Sequence, residues 1–69
     1  MKTVYIIMSK DSAVIAFDSI KYALNALECF SENAFLIAIK IDTSADVDDF
    51  NTLYQAQSMY KSNQYIAIQ

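Results

Sequence analysis

Sixty-nine residues contain no Gly, Pro, His, Trp or Arg, and only one Cys. Each absence removes a class of chemistry. Without histidine the chain has no imidazole for proton transfer near neutral pH and lacks the favoured nitrogen ligand for zinc. Without glycine it cannot build the phosphate-cradling loops of Walker or dinucleotide-binding type. Without arginine it has no bidentate fork for phosphate or guanine, so nucleic-acid recognition would rest on five lysines. A lone Cys29 forms no internal disulfide, which fits a reducing compartment, and the cytoplasm is the expected location. The start of the chain carries only a short apolar run, Val4 to Met8, too brief for a signal sequence or a membrane span.

What is present is apolar and mildly acidic. The hydrophobic fraction is 55% and the formal net charge −3. Lys2, Lys10, Lys21, Lys40 and Lys61 are scattered singly, so direct binding to DNA or RNA is not expected. The length allows one domain, 1–69, and a chain of this size buries roughly 60% of the surface its unfolded form exposes. Unless it is a well-filled monomer with scattered surface apolar residues, the chain self-associates or keeps an apolar face for a partner.

The residues from Thr3 to Ser9 are β-branched and aromatic and read as a strand; Ala13 to Phe17 reads as a second. A three-residue connection, Lys10-Asp11-Ser12, makes the pair a hairpin, with Asp11 taking the left-handed position that glycine would normally fill. Asp18 or Ser19 can cap a helix whose apolar stripe is Ile20, Ala23, Leu24, Leu27 and Phe30, closing near Ser31-Glu32-Asn33. Ala34 to Ile41 is the longest apolar stretch and reads as a central strand. Thr43 or Ser44 can cap a second helix with Asp46, Asp48 and Asp49 in its first turn and Lys61 in its last, as the macrodipole favours. Its inward stripe is Val47, Phe50, Leu53, Tyr54 and Tyr60, with Gln57 among them, and Asn63 stands where a stop is needed. Gln64 to Gln69 reads as a terminal strand.

The order β-β-α-β-α-β predicts an α+β fold, a two-layer sandwich with two helices on one face of a four-stranded mixed sheet. Phe35, Ile37, Ile39 and Ile41 then face the helices. Tyr5, Ile7, Leu36, Ala38, Tyr65 and Ala67 fall on the other face, where Lys40 is the main charge. That open face supplies Tyr5, Leu36 and Tyr65 as candidate protein-binding residues, and tyrosine suits a contact that is part buried and part wet.

The aspartates Asp42, Asp46, Asp48 and Asp49 are the only dense carboxylate group. An EF-hand loop needs Gly at its sixth position and Glu at its twelfth, and neither register beginning at Asp42 or Asp46 supplies them. Helix capping explains Asp46, Asp48 and Asp49, which are also candidate protein contacts; no metal and no cofactor is expected. Cys29 has no histidine to activate it and is expected to pack at the core boundary. Ser9, Lys10, Asp11 and Ser12 read as turn chemistry, since no oxyanion cradle accompanies them. The chain therefore reads as a non-enzyme.

The opening Val4-Tyr5-Ile6-Ile7-Met8-Ser9, the second strand ending in Phe17-Asp18-Ser19, and a following helix with Ala23 and Ala26 resemble the hairpin-then-helix start of small phage-encoded proteins. The resemblance covers about the first half of the chain. It implies a host-takeover or anti-defence protein of the anti-CRISPR kind, acting in the host cytoplasm by occluding a surface of a host defence or regulatory protein. The alternative is an antitoxin-like or accessory subunit that neutralises one cognate protein. Under both readings the partners are a host or cognate protein and a second copy of the chain, with no membrane and no nucleic acid.

Overall fold

The computed structural model describes residues 1–30, 33–41 and 50–68. Their order is β1 (Lys2–Ser9), β2 (Ser12–Phe17), α1 (Ile20–Leu27), β3 (Ala34–Ile41), α2 (Phe50–Lys61) and β4 (Ile66–Ala67). The expected α+β character and element order are therefore present. The expected helix caps at Thr43 or Ser44, and the site residues Asp46, Asp48 and Asp49, lie outside the described residues.

The strands lie in the order β2-β1-β3-β4, and every pairing is antiparallel. This corrects the mixed sheet. Had β3 joined the outer edge of β2 it would have run parallel to it; instead α1 carries the chain across β1, and β3 pairs with β1 along its whole length, from Lys2 opposite Ile41 to Ser9 opposite Ala34. β1 and β3 are thus the two interior strands, as expected for β3, which is why Val4, Ile6, Ile7 and Met8 are all buried along with Leu36, Ile37 and Ile39.

The hairpin closes through a two-residue loop, because Ser9 pairs with Ser12. Lys10 and Asp11 both have positive φ, 53° and 63°, the pattern of a type I′ turn in which glycine is favoured. Next to it β2 carries a bulge: Ile7 pairs with Ile15 and Met8 with Ala13, leaving Val14 over.

The two helices lie on opposite faces, so the layers are helix, sheet, helix rather than two. On one side Ile7, Ala23 and Leu36 form a buried cluster with Tyr5, Phe17, Leu24, Leu27 and Phe30 against it. On the other side Val4, Ile6, Met8, Ile37, Ile39 and Ile41 pack with Ala56 of α2. Phe35, Ile37, Ile39 and Ile41 do face a helix, but only α2. Both faces of β1 and β3 are apolar, and one helix covers one face; a two-layer arrangement would have left Ile7 and Leu36 in water.

Within α1, Ser19 stands at the N-cap with no side-chain capping bond. The helix is shorter than expected: after Leu27, Cys29 N–H reaches back to the Ala26 carbonyl and Phe30 N–H to that of Leu27. These tighter i to i−3 bonds turn Phe30 onto the cluster and leave Cys29 exposed, against its expected packing. Ile20, expected in the stripe, is also exposed. In α2 the buried face is Thr52 and Ala56, flanked by Leu53, Met59 and Tyr60, while Tyr54 is 71% exposed and leaves the expected stripe. The helix is rotated so that its small residues meet the sheet. It ends in a Schellman pattern with Asn63 at φ 60°, Gln64 N–H bonding the Met59 carbonyl and Asn63 N–H that of Tyr60.

The folded chain exposes 4561 Å², close to the about 4,400 Å² that size scaling gives for a monomer of this mass. Much of the apolar content is taken up by burying both faces of the sheet, while Ile15, Ile20, Tyr22, Tyr54 and Ile66 stay exposed.

Candidate functional site

Of the proposed binding residues, Leu36 is fully buried under α1 and is not a surface residue at all. Tyr5 is only partly exposed and packs beside it. Tyr65 lies on the other face: Ala67 pairs with Ile37, so Tyr65, two residues earlier, shares the α2 side. It stacks at 5.2 Å on Tyr60, which in turn lies 5.8 Å from Phe35. The three residues chosen for one open face are thus spread over two covered ones.

What remains open is one end of the α1 side. Eight residues of helix span about 12 Å, while an eight-residue strand spans about 26 Å, so α1 covers the end nearest the hairpin and stops short of Thr3 and Lys40. Thr3 and Lys40 face each other across β1 and β3, both exposed. Beside them Ile66 of β4 is 65% exposed and Ile68 36%.

A cleft of about 250 Å³ opens at this end, in the plane of the sheet. Ala38, Lys40 and Ile66 line it from the α1 side, and Ile39, Met59 and Tyr65 from the α2 side. Its cause is the shortness of β4. Ile66 pairs with Ala38 and Ile68 N–H bonds the Leu36 carbonyl, so Leu36, Ala38 and Lys40 turn their backbone groups towards β4. The next partner in that register would be Gln64, opposite Lys40. Gln64 N–H is spent on the Met59 carbonyl at the end of α2, so the chain leaves the sheet and the ladder stops. Among the described residues, the Lys40 backbone has no strand partner on this side and its ammonium no ion pair.

At the opposite end a polar latch ties α2 to the hairpin. The Gln57 side-chain oxygen accepts from Ala13 N–H at 2.7 Å while its amide donates to the Asp11 carbonyl at 2.6 Å. The Tyr60 hydroxyl donates to the Asp11 carboxylate at 2.8 Å. That bond, helped by burial and the nearby negative charge, raises the Tyr60 pKa above the usual phenol value. These contacts hold a glycine-free turn in its left-handed geometry and account for Gln57 within the inner stripe. Its neighbours Tyr54, Ser58 and Lys61 frame a smaller dip of about 210 Å³.

Among the described residues no three His, Cys, Asp or Glu side chains gather as a metal site, and no helix is long and apolar enough to cross a membrane. Comparison with protein-family models, characterised proteins and solved structures finds no match for the chain. The residues that sequence reasoning missed are Thr3, Lys40, Met59 and Ile66. The signal lay in Asn63: a helix stop of Schellman type draws the following residue onto the helix and shortens any strand that begins there.

Proposed function

We propose that this chain is a non-enzymatic protein-binding module, of the kind by which a phage inhibitor occludes a surface of a host defence or regulatory protein. The supporting observation is the cleft at the β3–β4 end, where Ile66 stands 65% exposed beside an unfinished strand edge. Exposed apolar side chains around a concavity are the usual anchor points of protein contacts, and edge strands are the usual backbone ones. The phage assignment itself rests on the resemblance of the first half of the chain.

Affinity capture from the native cells, with wild type and Ile66→Asp side by side, tests the reading. Ile66→Asp should keep the circular dichroism of the wild type, since the side chain is mostly in solvent, and should lose the captured partner. Retention of the same partner by Ile66→Asp would overturn it. Self-association through the same end belongs to this proposal, and sedimentation equilibrium measures it: a single 7.8 kDa species at all concentrations would remove the dimer and leave the heterologous partner.

A further inference from the structure

We propose that the cleft takes up an extended segment of a partner protein as an added strand beside β3, and that the segment carries an acidic residue next to an apolar one. The inference rests on the binding-module reading above and names the chemistry of its partner. Lys40 presents its N–H and C=O into the gap where Gln64 would have continued β4, so a backbone can enter there and extend the ladder by one pair. A residue placed opposite Lys40 shares its face, which puts a carboxylate within reach of the ammonium across the strands. The neighbouring residue points to the other face, where Ile39, Met59 and Tyr65 form the apolar wall of the cleft. Among the described residues Lys40 is the sole charged one lining the space, and this local charge selects an acid although the whole chain carries −3. At physiological salt exposed charges are screened beyond about 8 Å, so a carboxylate set opposite Lys40 responds mainly to the charges close to it.

The test uses the full chain immobilised against a phage-displayed library of random linear peptides, followed by titration of the enriched synthetic peptides with amide NMR. The inference expects enriched peptides to share an Asp or Glu beside a β-branched or aromatic residue and to shift the amides of Lys40 and Ile66. Lys40→Glu should weaken them by about tenfold, and N-methylation of the peptide backbone at the acidic residue by about tenfold as well, whereas Lys21→Glu on α1 should leave binding unchanged. Failure of any peptide to enrich, a consensus without an acid, equal binding to Lys40→Glu, or competition by free phenylacetate as strong as that of the peptide would each overturn strand addition. A dimer dispersed by both Lys40→Glu and Ile66→Asp would identify a second copy as the occupant and overturn the assigned partner. If Ile66→Asp loses a cellular partner while peptides fail, the binding-module reading stands and this inference falls. If capture is indifferent to Ile66→Asp, the reading itself falls.

Discussion

Among the described residues, eight are buried together on the α2 side of the sheet, from Val4 on β1 to Ala56 on the helix, and three on the α1 side, Ile7, Ala23 and Leu36. β1 and β3 supply both faces, with Ala16 of β2 added on the α2 side, and the covers differ. α2 has twelve residues, a Schellman end, and side-chain bonds from Gln57 and Tyr60 to the hairpin. α1 has eight residues and an N-cap serine that makes no capping bond. A short helix in isolation is unstable in water, so α1 depends on Ala23 and its neighbours meeting the sheet. α1 covers its face only at the hairpin end, and the cleft opens at the far end, where the short β4 leaves the sheet.

The comparison breaks most sharply at Leu36. If α1 truly seals it, Leu36→Ala should cost about 2–5 kcal/mol, and Leu36→Lys, which buries an unpaired charge, should unfold the chain. Ile37→Ala on the α2 side should fall in the same range of about 2–5 kcal/mol. Urea denaturation of the three variants decides it, and a folded, stable Leu36→Lys would show that the α1 side is in fact open.

Next in size is the latch. Gln57→Ala removes two hydrogen bonds and leaves the half-buried Ala13 N–H without a partner, an expected loss of about 1–3 kcal/mol. A change well below that in the urea midpoint would mean that α2 is held by packing alone. Tyr60 sharpens the same point through pH. Its pKa is raised in the folded state, so its contribution is complete below the unfolded phenol value of about 10 and is lost as pH climbs through the higher folded value. Wild type and Tyr60→Phe should therefore differ by a constant amount up to about pH 10 and converge above it; parallel melting curves through the alkaline range would separate Tyr60 from the latch.

The smallest effect tests the turn that the latch supports. Lys10 at φ 53° is in the left-handed region, where a side chain costs about 1–2 kcal/mol, and a glycine there loses about 0.5–1 kcal/mol of that gain to unfolded-chain entropy. Lys10→Gly should raise stability by about 0.5 kcal/mol. A destabilised variant would mean that the lysine side chain itself holds the turn.

The sequence by itself determined the elements: short runs of β-branched, aromatic and apolar residues made β1 and β3 strands, the spacing of Ala23, Leu24 and Leu27 made α1 a helix, and Asn63 ended α2. Their period and caps are local, set within a few residues. It also showed that β3 is apolar on both faces, a fact that argues for cover on both sides. Tertiary structure alone decided that α1 and α2 take opposite faces, that β1 lies beside β3 in the interior of the sheet, and that Leu36 is core. Those choices depend on which long-range pairing buries more surface, and residue spacing is the same in either arrangement. The candidate site was the least legible part. Tyr5, Leu36 and Tyr65 were assigned to one face by counting alternate residues, and counting holds only within a strand; the faces of β1, β3 and β4 are linked by register, with Ala67 opposite Ile37. Lys40 borders a cleft because Gln64 bonds the end of α2 instead of a strand, a competition between two backbone partners that only the folded chain resolves.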